Sequence, residues 1–203
     1  MRVIRTIVLI LVAIGALAPL ARPSDFNWHG RLAPGQSVEI KGVNGAIHAE
    51  RSSGTEVTVE ATKSGRHNDP NSVTVQAVPH GDGVTICAVY PSSDWGRPNE
   101  CQPGSGGRMN VNNNDVKVEF TVHVPAGARF IGRTVNGEVE AASLAGDVQA
   151  HTVNGKIRIS TDFPLMIHGK FSGREITGAI GQGGPDLSLK TVNGSIELHR
   201  VGS

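Results

Sequence analysis

Four copies of one short phrase constrain this chain more than any other feature: Val43-Asn44-Gly45, Val135-Asn136-Gly137, Val153-Asn154-Gly155 and Val192-Asn193-Gly194, each followed by one residue and then Ile or Val. A Thr precedes the last three, at Thr134, Thr152 and Thr191. Asn and Gly both tolerate positive φ, so the pair predicts a tight corner. The valine before each Asn and the Ile or Val after each Gly are expected to point inward. Asn136 and Asn154 lie 18 residues apart, and Gly137, Gly146 and Gly155 are spaced by nine. Two short strands and two corners fill such a period, and repeats of this kind stack so that neighbours bury each other's apolar faces. A β-hairpin is the simple rival, because Asn-Gly also signals one. A hairpin does not demand the period, whereas stacked asparagines can share side-chain hydrogen bonds. The expected fold is therefore all-β, a β-solenoid of short strands with structural turns at Asn44, Gly45, Asn136, Gly137, Asn154, Gly155, Asn193 and Gly194. Thr177-Gly178-Ala179-Ile180 reads as a worn copy. Stacking also predicts Glu138 over Lys156 and Glu140 over Arg158, as outward pairs of opposite charge.

Elsewhere the chain alternates with period two. Val57, Val59 and Ala61 alternate with polar residues, as do Val73, Val75 and Ala77, and then Val84, Ile86 and Ala88. Val116 to Val124 is the cleanest case, ended by Pro125-Ala126-Gly127. Such strands bury one face and wet the other. No segment of the mature chain has helical periodicity.

The chain opens with Arg2 and Arg5, an apolar run from Ile7 to Ala18, and small residues up to Ala21. This describes a secretory signal peptide over 1–21, too short to span a bilayer comfortably. The mature chain, 22–203, is expected to be one domain: N-terminal strands over 22–129, then regular coils over 130–203. Removing the leader leaves 17 basic against 18 acidic side chains. That balance gives no footing for nucleic acid and no polybasic anchor for lipid. Cys87 and Cys101 are the only cysteines. In an exported protein such a pair is expected to form a disulfide.

Phe26-x-Trp28-x-Gly30, Pro34-Gly35, Val38-Glu39-Ile40, Val43-Asn44-Gly45-x-Ile47, Val124-Pro125-x-Gly127 and the terminal Thr-Val-Asn-Gly series together resemble a bacterial family of exported β-strand-repeat domains. Its members are labelled adhesins and are otherwise of unknown function. The resemblance covers roughly 26 to 198 and implies a β-helix-like domain in the cell envelope. The region from Gly65 to Asn114 is less typical of it and reads as an elaboration.

No motif for catalysis, metal or cofactor stands out. Tyr90, Asp94, Trp95 and Arg97 lie between the cysteines, where a stapled polar loop could present an aromatic platform for a sugar ring; the bland alternative is that Trp95 packs over the disulfide. Asn110 to Asp115 begins like a calcium loop but lacks the central Gly and has Thr121 where a bidentate Glu is required. Gly181-Gln182-Gly183-Gly184 occurs once and does not make a calcium-binding repeat. The eight histidines show no local ligand spacing. Asp147, Glu138, Glu140 and Glu197 are the acids a polysaccharide-active enzyme would draw on. The leading expectation is a noncatalytic, periplasmic or extracellular domain of the cell envelope that binds a surface component or glycan. An envelope module that binds a protein partner is the alternative, and an enzyme the third.

Overall fold

A computed structural model describes residues 25–94, 96–162, 165–181 and 184–201, with only the backbone of 165–171. The expected leader at 1–21 lies outside these residues. Fifteen strands form two mixed sheets. The seven-stranded sheet contains, in spatial order, β1 (Phe26–Gly30), β4 (Val57–Ser64), β7 (Lys117–Val124), β3 (Ile47–Arg51), β9 (Val139–Ala142), β11 (Ile157–Thr161) and β15 (Ile196–Arg200). The eight-stranded sheet runs β12 (Leu165–Ser172), β13 (Glu175–Ile180), β14 (Asp186–Asn193), β10 (Val148–Asn154), β8 (Arg129–Asn136), β2 (Ser37–Lys41), β6 (Gly83–Val89) and β5 (Thr74–His80).

The middle of each sheet is parallel. In one, β7, β3, β9, β11 and β15 pair in that order; in the other, β14, β10, β8, β2 and β6 do. Each successive strand pair thus places one strand in each sheet: β2 and β3, β8 and β9, β10 and β11, β14 and β15. The pair β6 and β7 comes later in the chain than β2 and β3 yet stacks outside them. The ends differ from a uniform series. There β4, β1 and β5 pair antiparallel at one end, and β13 and β12 at the other. Thr177 to Ile180, expected to be a worn repeat, lies in antiparallel β13 and is a hairpin strand instead.

Alternation fills the space between the sheets. Tyr90, Phe120 and Phe130 are its largest buried side chains, in one core with Ile40, Ile47, Val139 and Ile157. Burying an aliphatic side chain of this size contributes about 1.5–3 kcal/mol each. With so few aromatic residues, the β-branched side chains supply most of the core.

The corners hold together by three ladders. Asn136 Nδ2 donates to Asn44 Oδ1 (2.9 Å), Asn154 to Asn136 (2.8 Å) and Asn193 to Asn154 (3.0 Å). Thr134, Thr152 and Thr191 point inward, and their hydroxyls donate to the carbonyls of Gly45, Gly137 and Gly155. The glycines form the third ladder: a Cβ on Gly137, Gly155 or Gly194 would collide with the carbonyl of Gly45, Gly137 or Gly155, respectively. These corners therefore need glycine for close approach of neighbouring strands. Positive φ is not the general reason, since among the four corners only Gly45, at 120°, adopts it and none of the asparagines does.

The phase of the phrase also differs from expectation. Ile47, Val139 and Ile157 are buried, but the valine before each Asn faces outward, with Val135 38% and Val192 44% exposed. Thr takes the inner position because a glycine carbonyl satisfies its hydroxyl, which removes the usual cost of burying it.

Candidate functional site

One groove stands out among the described residues. It encloses about 610 Å³ between the outer face of the eight-stranded sheet and the segment that follows β6. Its floor carries Lys41, Arg133 and His151 beside Val43, Val135 and Val153. The floor residues are brought together by strand register: Lys41 opposes Arg133, Arg133 opposes His151, and His151 opposes Lys190. A smaller depression of about 200 Å³, which includes Arg133, His151 and Lys190, continues the same face.

The result is a row of basic side chains, one per strand on four adjacent strands, with a parallel row of valines two residues further on. Both rows come from the repeated phrase. Lys41, Arg133, His151 and Lys190 each stand two residues before the valine, so every copy reads basic-x-Val-Asn-Gly. This signal is present in the sequence, ahead of each Asn-Gly corner.

The wall of the groove is the stapled segment. Cys87 on β6 is bonded to Cys101, with Cα atoms 5.6 Å apart, as expected for the pair. Two polar side chains of the floor hold the wall in place. Lys41 Nζ donates to the carbonyls of Gln102 (2.6 Å) and Gly106 (3.1 Å), and burial lowers its pKa from the ordinary lysine range. Glu39 is buried on β2; it accepts from the Gly104 amide (2.8 Å) and the Thr85 hydroxyl (2.9 Å), and from Arg133 Nε (3.0 Å). A buried carboxylate with three donors is well compensated. Arg133 keeps a 40% exposed side chain above it. Glu100 and Arg108 also line the wall, and Arg108 is ion-paired with Asp94 (2.6 Å).

Burial lowers the pKa of His151 below the usual imidazole range, and the positive charges of Arg133 and Lys190 lower it further. Among the described residues neither His151 nor Lys190 has a carboxylate within ion-pair distance, although Glu175 opposes Lys190 across β13 and β14. Like charges directly across strands are unfavourable. The row is therefore compensated only in part: Glu39 lies against Arg133 and Lys41, and no ion pair within the described residues holds His151 or Lys190.

The loop residues singled out from the sequence fare differently. Tyr90 is not a surface platform: it is buried, its hydroxyl donates to the Val116 carbonyl (2.8 Å), and burial pushes its pKa up to about 12. It fills the core because β6 carries it under the segment preceding β7. Asp94 is occupied by Arg108, and Arg97 is exposed. Trp95 lies outside the described residues. Asp115 accepts from the amides of Arg66, His67 and Asn68, and these bonds, that of Asn68 foremost, pull its pKa down to about 2. It clamps a loop.

Glu138, Glu140 and Glu197 lie on the opposite face of the molecule, with the seven-stranded sheet. Arg158 contacts Glu138 (2.7 Å), Glu140 (3.6 Å) and Glu197 (3.6 Å), and Lys156 contacts Glu197 (2.7 Å). The register of Arg158 over Glu140 is as expected. Lys156 instead reaches forward to Glu197, and Glu138 goes to Arg158, because β15 offers a carboxylate on the other side. Asp147 Oδ1 accepts from the Asp186 amide. Among the described residues no cluster of three or more His, Cys, Asp or Glu is placed to hold a metal, and no helix is long and apolar enough to cross a membrane.

No family model and no curated protein matches the chain. Among solved structures it is similar to one described as a putative cell adhesion protein from Clostridium sporogenes, with 10% identity and a TM-score of 0.40 over 86% of this chain and 99% of that one.

Proposed function

We propose that this chain is a noncatalytic, exported domain of the cell envelope that binds an envelope glycan in the groove beside the stapled segment. Its body is a β-solenoid in which each strand–corner–strand unit forms one coil, and a single domain spans 22–203 once the leader is removed. The parallel registers and the three corner ladders support that body, and the motif resemblance to exported β-repeat adhesins agrees with it. The observation that carries the function is the pairing of a basic row, compensated only by Glu39, with a partly exposed apolar row on the floor of a groove whose wall is fixed by a disulfide and by Glu39 and Lys41. Such a groove is preorganised, so little ordering cost falls on binding.

A noncatalytic role is supported by the state of the acids. Glu138, Glu140 and Glu197 are held in ion pairs, and the hydrogen bond from Lys156 keeps the Glu197 carboxyl below its ordinary range. A carboxyl held ionised in this way is a poor proton donor. One observation favours a protein partner instead: among the described residues β15 pairs only with β11, leaving a strand edge open to another chain.

Protein recovered from the exported fraction, with its disulfide intact, is expected to bind cell-wall material and to select glycans on an array. Lys190→Gln should weaken that binding without lowering the melting temperature. Absence of binding to any glycan, together with specific capture of one protein through β15, would overturn the reading.

A further inference from the structure

The basic row and the valine row have a common direction and a common spacing, and these bear on the class of ligand. Neighbouring strands lie about 4.8 Å apart, a step comparable to one pyranose unit of a glycan chain. Lys41, Arg133, His151 and Lys190 thus offer one basic side chain per step along a line perpendicular to the strands, three of them cations and His151 an imidazole that an anion can protonate. The valines offer an apolar track alongside it, partly exposed at Val135 and Val192.

We propose that the groove takes an acidic polysaccharide laid across the strands, with consecutive carboxylate-bearing sugars over Lys41, Arg133, His151 and Lys190 and their C–H faces on the valine row. This rests on the glycan-binding reading and specifies its ligand class. Other polyanions fit less well. A peptide that binds by adding a strand needs a sheet edge, whereas this site is on a sheet face where the backbone groups already pair between strands. Single-stranded nucleic acid uses a series of aromatic rings for its bases to stack on, and no Phe, Tyr or Trp is among the described residues lining the groove. The charge also has a direction. Glu100 places a carboxylate on the wall while the floor carries only basic charged side chains, and the smaller depression that includes Lys190 continues the row beyond the groove.

The test uses the intact oxidised protein and galacturonate oligomers of one, two, four and eight units, each also as the uncharged methyl ester. Affinity measured by calorimetry is expected to rise up to four units and then level, to fall steeply with added salt, and to drop about tenfold or more on methyl esterification. Lys190→Gln and His151→Gln should each lower tetramer affinity several-fold at unchanged melting temperature, and should shorten the length at which affinity levels. Equal binding of acid and methyl ester overturns the acidic-ligand inference while leaving a glycan-binding groove in place. Binding of the acid form that is indifferent to both substitutions overturns the proposed row. Failure of every oligomer, with failure of cell-wall binding as well, removes the glycan reading itself.

Discussion

The two outer faces of this molecule are built on the same plan and use charge in opposite ways. On the seven-stranded sheet, His48, Glu140, Arg158 and Glu197 stand opposite one another on β3, β9, β11 and β15. Signs alternate along that row, and the contacts from His48 to Glu140 (3.0 Å) and from Arg158 to its carboxylates close it on itself. On the eight-stranded sheet, the equivalent line of Lys41, Arg133, His151 and Lys190 carries one sign only. The backbone treats both rows alike, with each charge set at strand spacing from the next. What differs is whether the neighbour is a partner or a competitor. A row that neutralises itself serves register, while a row of like charge, relieved only by Glu39 beside Arg133, keeps charge that the proposed anionic ligand would meet.

That contrast yields predictions of decreasing size. The largest effect is expected where both faces share a spine. Gly155→Ala forces a methyl group into the Gly137 carbonyl and separates neighbouring strands in both sheets, which should cost about 3 kcal/mol as overpacking against backbone. Denaturant melts would reveal it, and a loss below half that figure would mean the corner relaxes easily. Replacing Cys87 and Cys101 together by Ser comes next. Opening a loop of this length removes about 3 kcal/mol in the chain-entropy model. Its second consequence is confined to one face: the groove wall loosens and ligand binding falls, while amide exchange on β9 and β11 stays as in the parent.

A paired substitution separates the faces most cleanly. Arg158→Gln leaves Glu138, Glu140 and Glu197 without their shared cation and should cost about 1 kcal/mol. Lys190→Gln, on the like-charged row, should leave stability unchanged or raise it by a few tenths of a kcal/mol. Equal losses at the two sites would erase the distinction.

The smallest effect is on pH. His151 titrates below the unfolded value of 6.5, so its protonation disfavours folding; the stability it contributes is present above that value and is lost as pH falls through the window beneath it. A polyanion on the row reverses the preference and draws a proton onto the ring. Binding should therefore tighten as pH is lowered from about 7.5 to about 5.5. The groups facing His151 are Arg133 with its partner Glu39, Lys190 with Glu175 beyond it, and Glu100 and Arg108 of the wall. His151→Gln should abolish the tightening, and its persistence in that variant would assign the effect to one of those groups.

Much of the fold was legible from the repeat. The Asn corners, the parallel register of Arg158 over Glu140 and the all-β class follow from an 18-residue period and strict alternation. The disulfide followed from compartment and cysteine count. Other features were not accessible to the same reasoning. Alternation places Thr and Val of the phrase on opposite faces without saying which is inner, and the answer depends on glycine carbonyls of a neighbouring unit that satisfy Thr152 and Thr191. The unit of β6 and β7 could not be recognised because the stapled segment replaces its corner. The site was hardest to see, since Lys41 and Lys190 are far apart in the chain and meet on one face only through four strand pairings. Its trace in the sequence is the basic residue two places before each valine, which acquires meaning once the strands are in register.

The most direct test is amide shift mapping of the intact, oxidised protein titrated with tetragalacturonate. The account predicts shifts centred on Lys41, Arg133, His151 and Lys190 and extending to the following valines, with Glu140, Arg158 and Glu197 silent. Shifts concentrated on that second set, or along the open edge of β15, would contradict it.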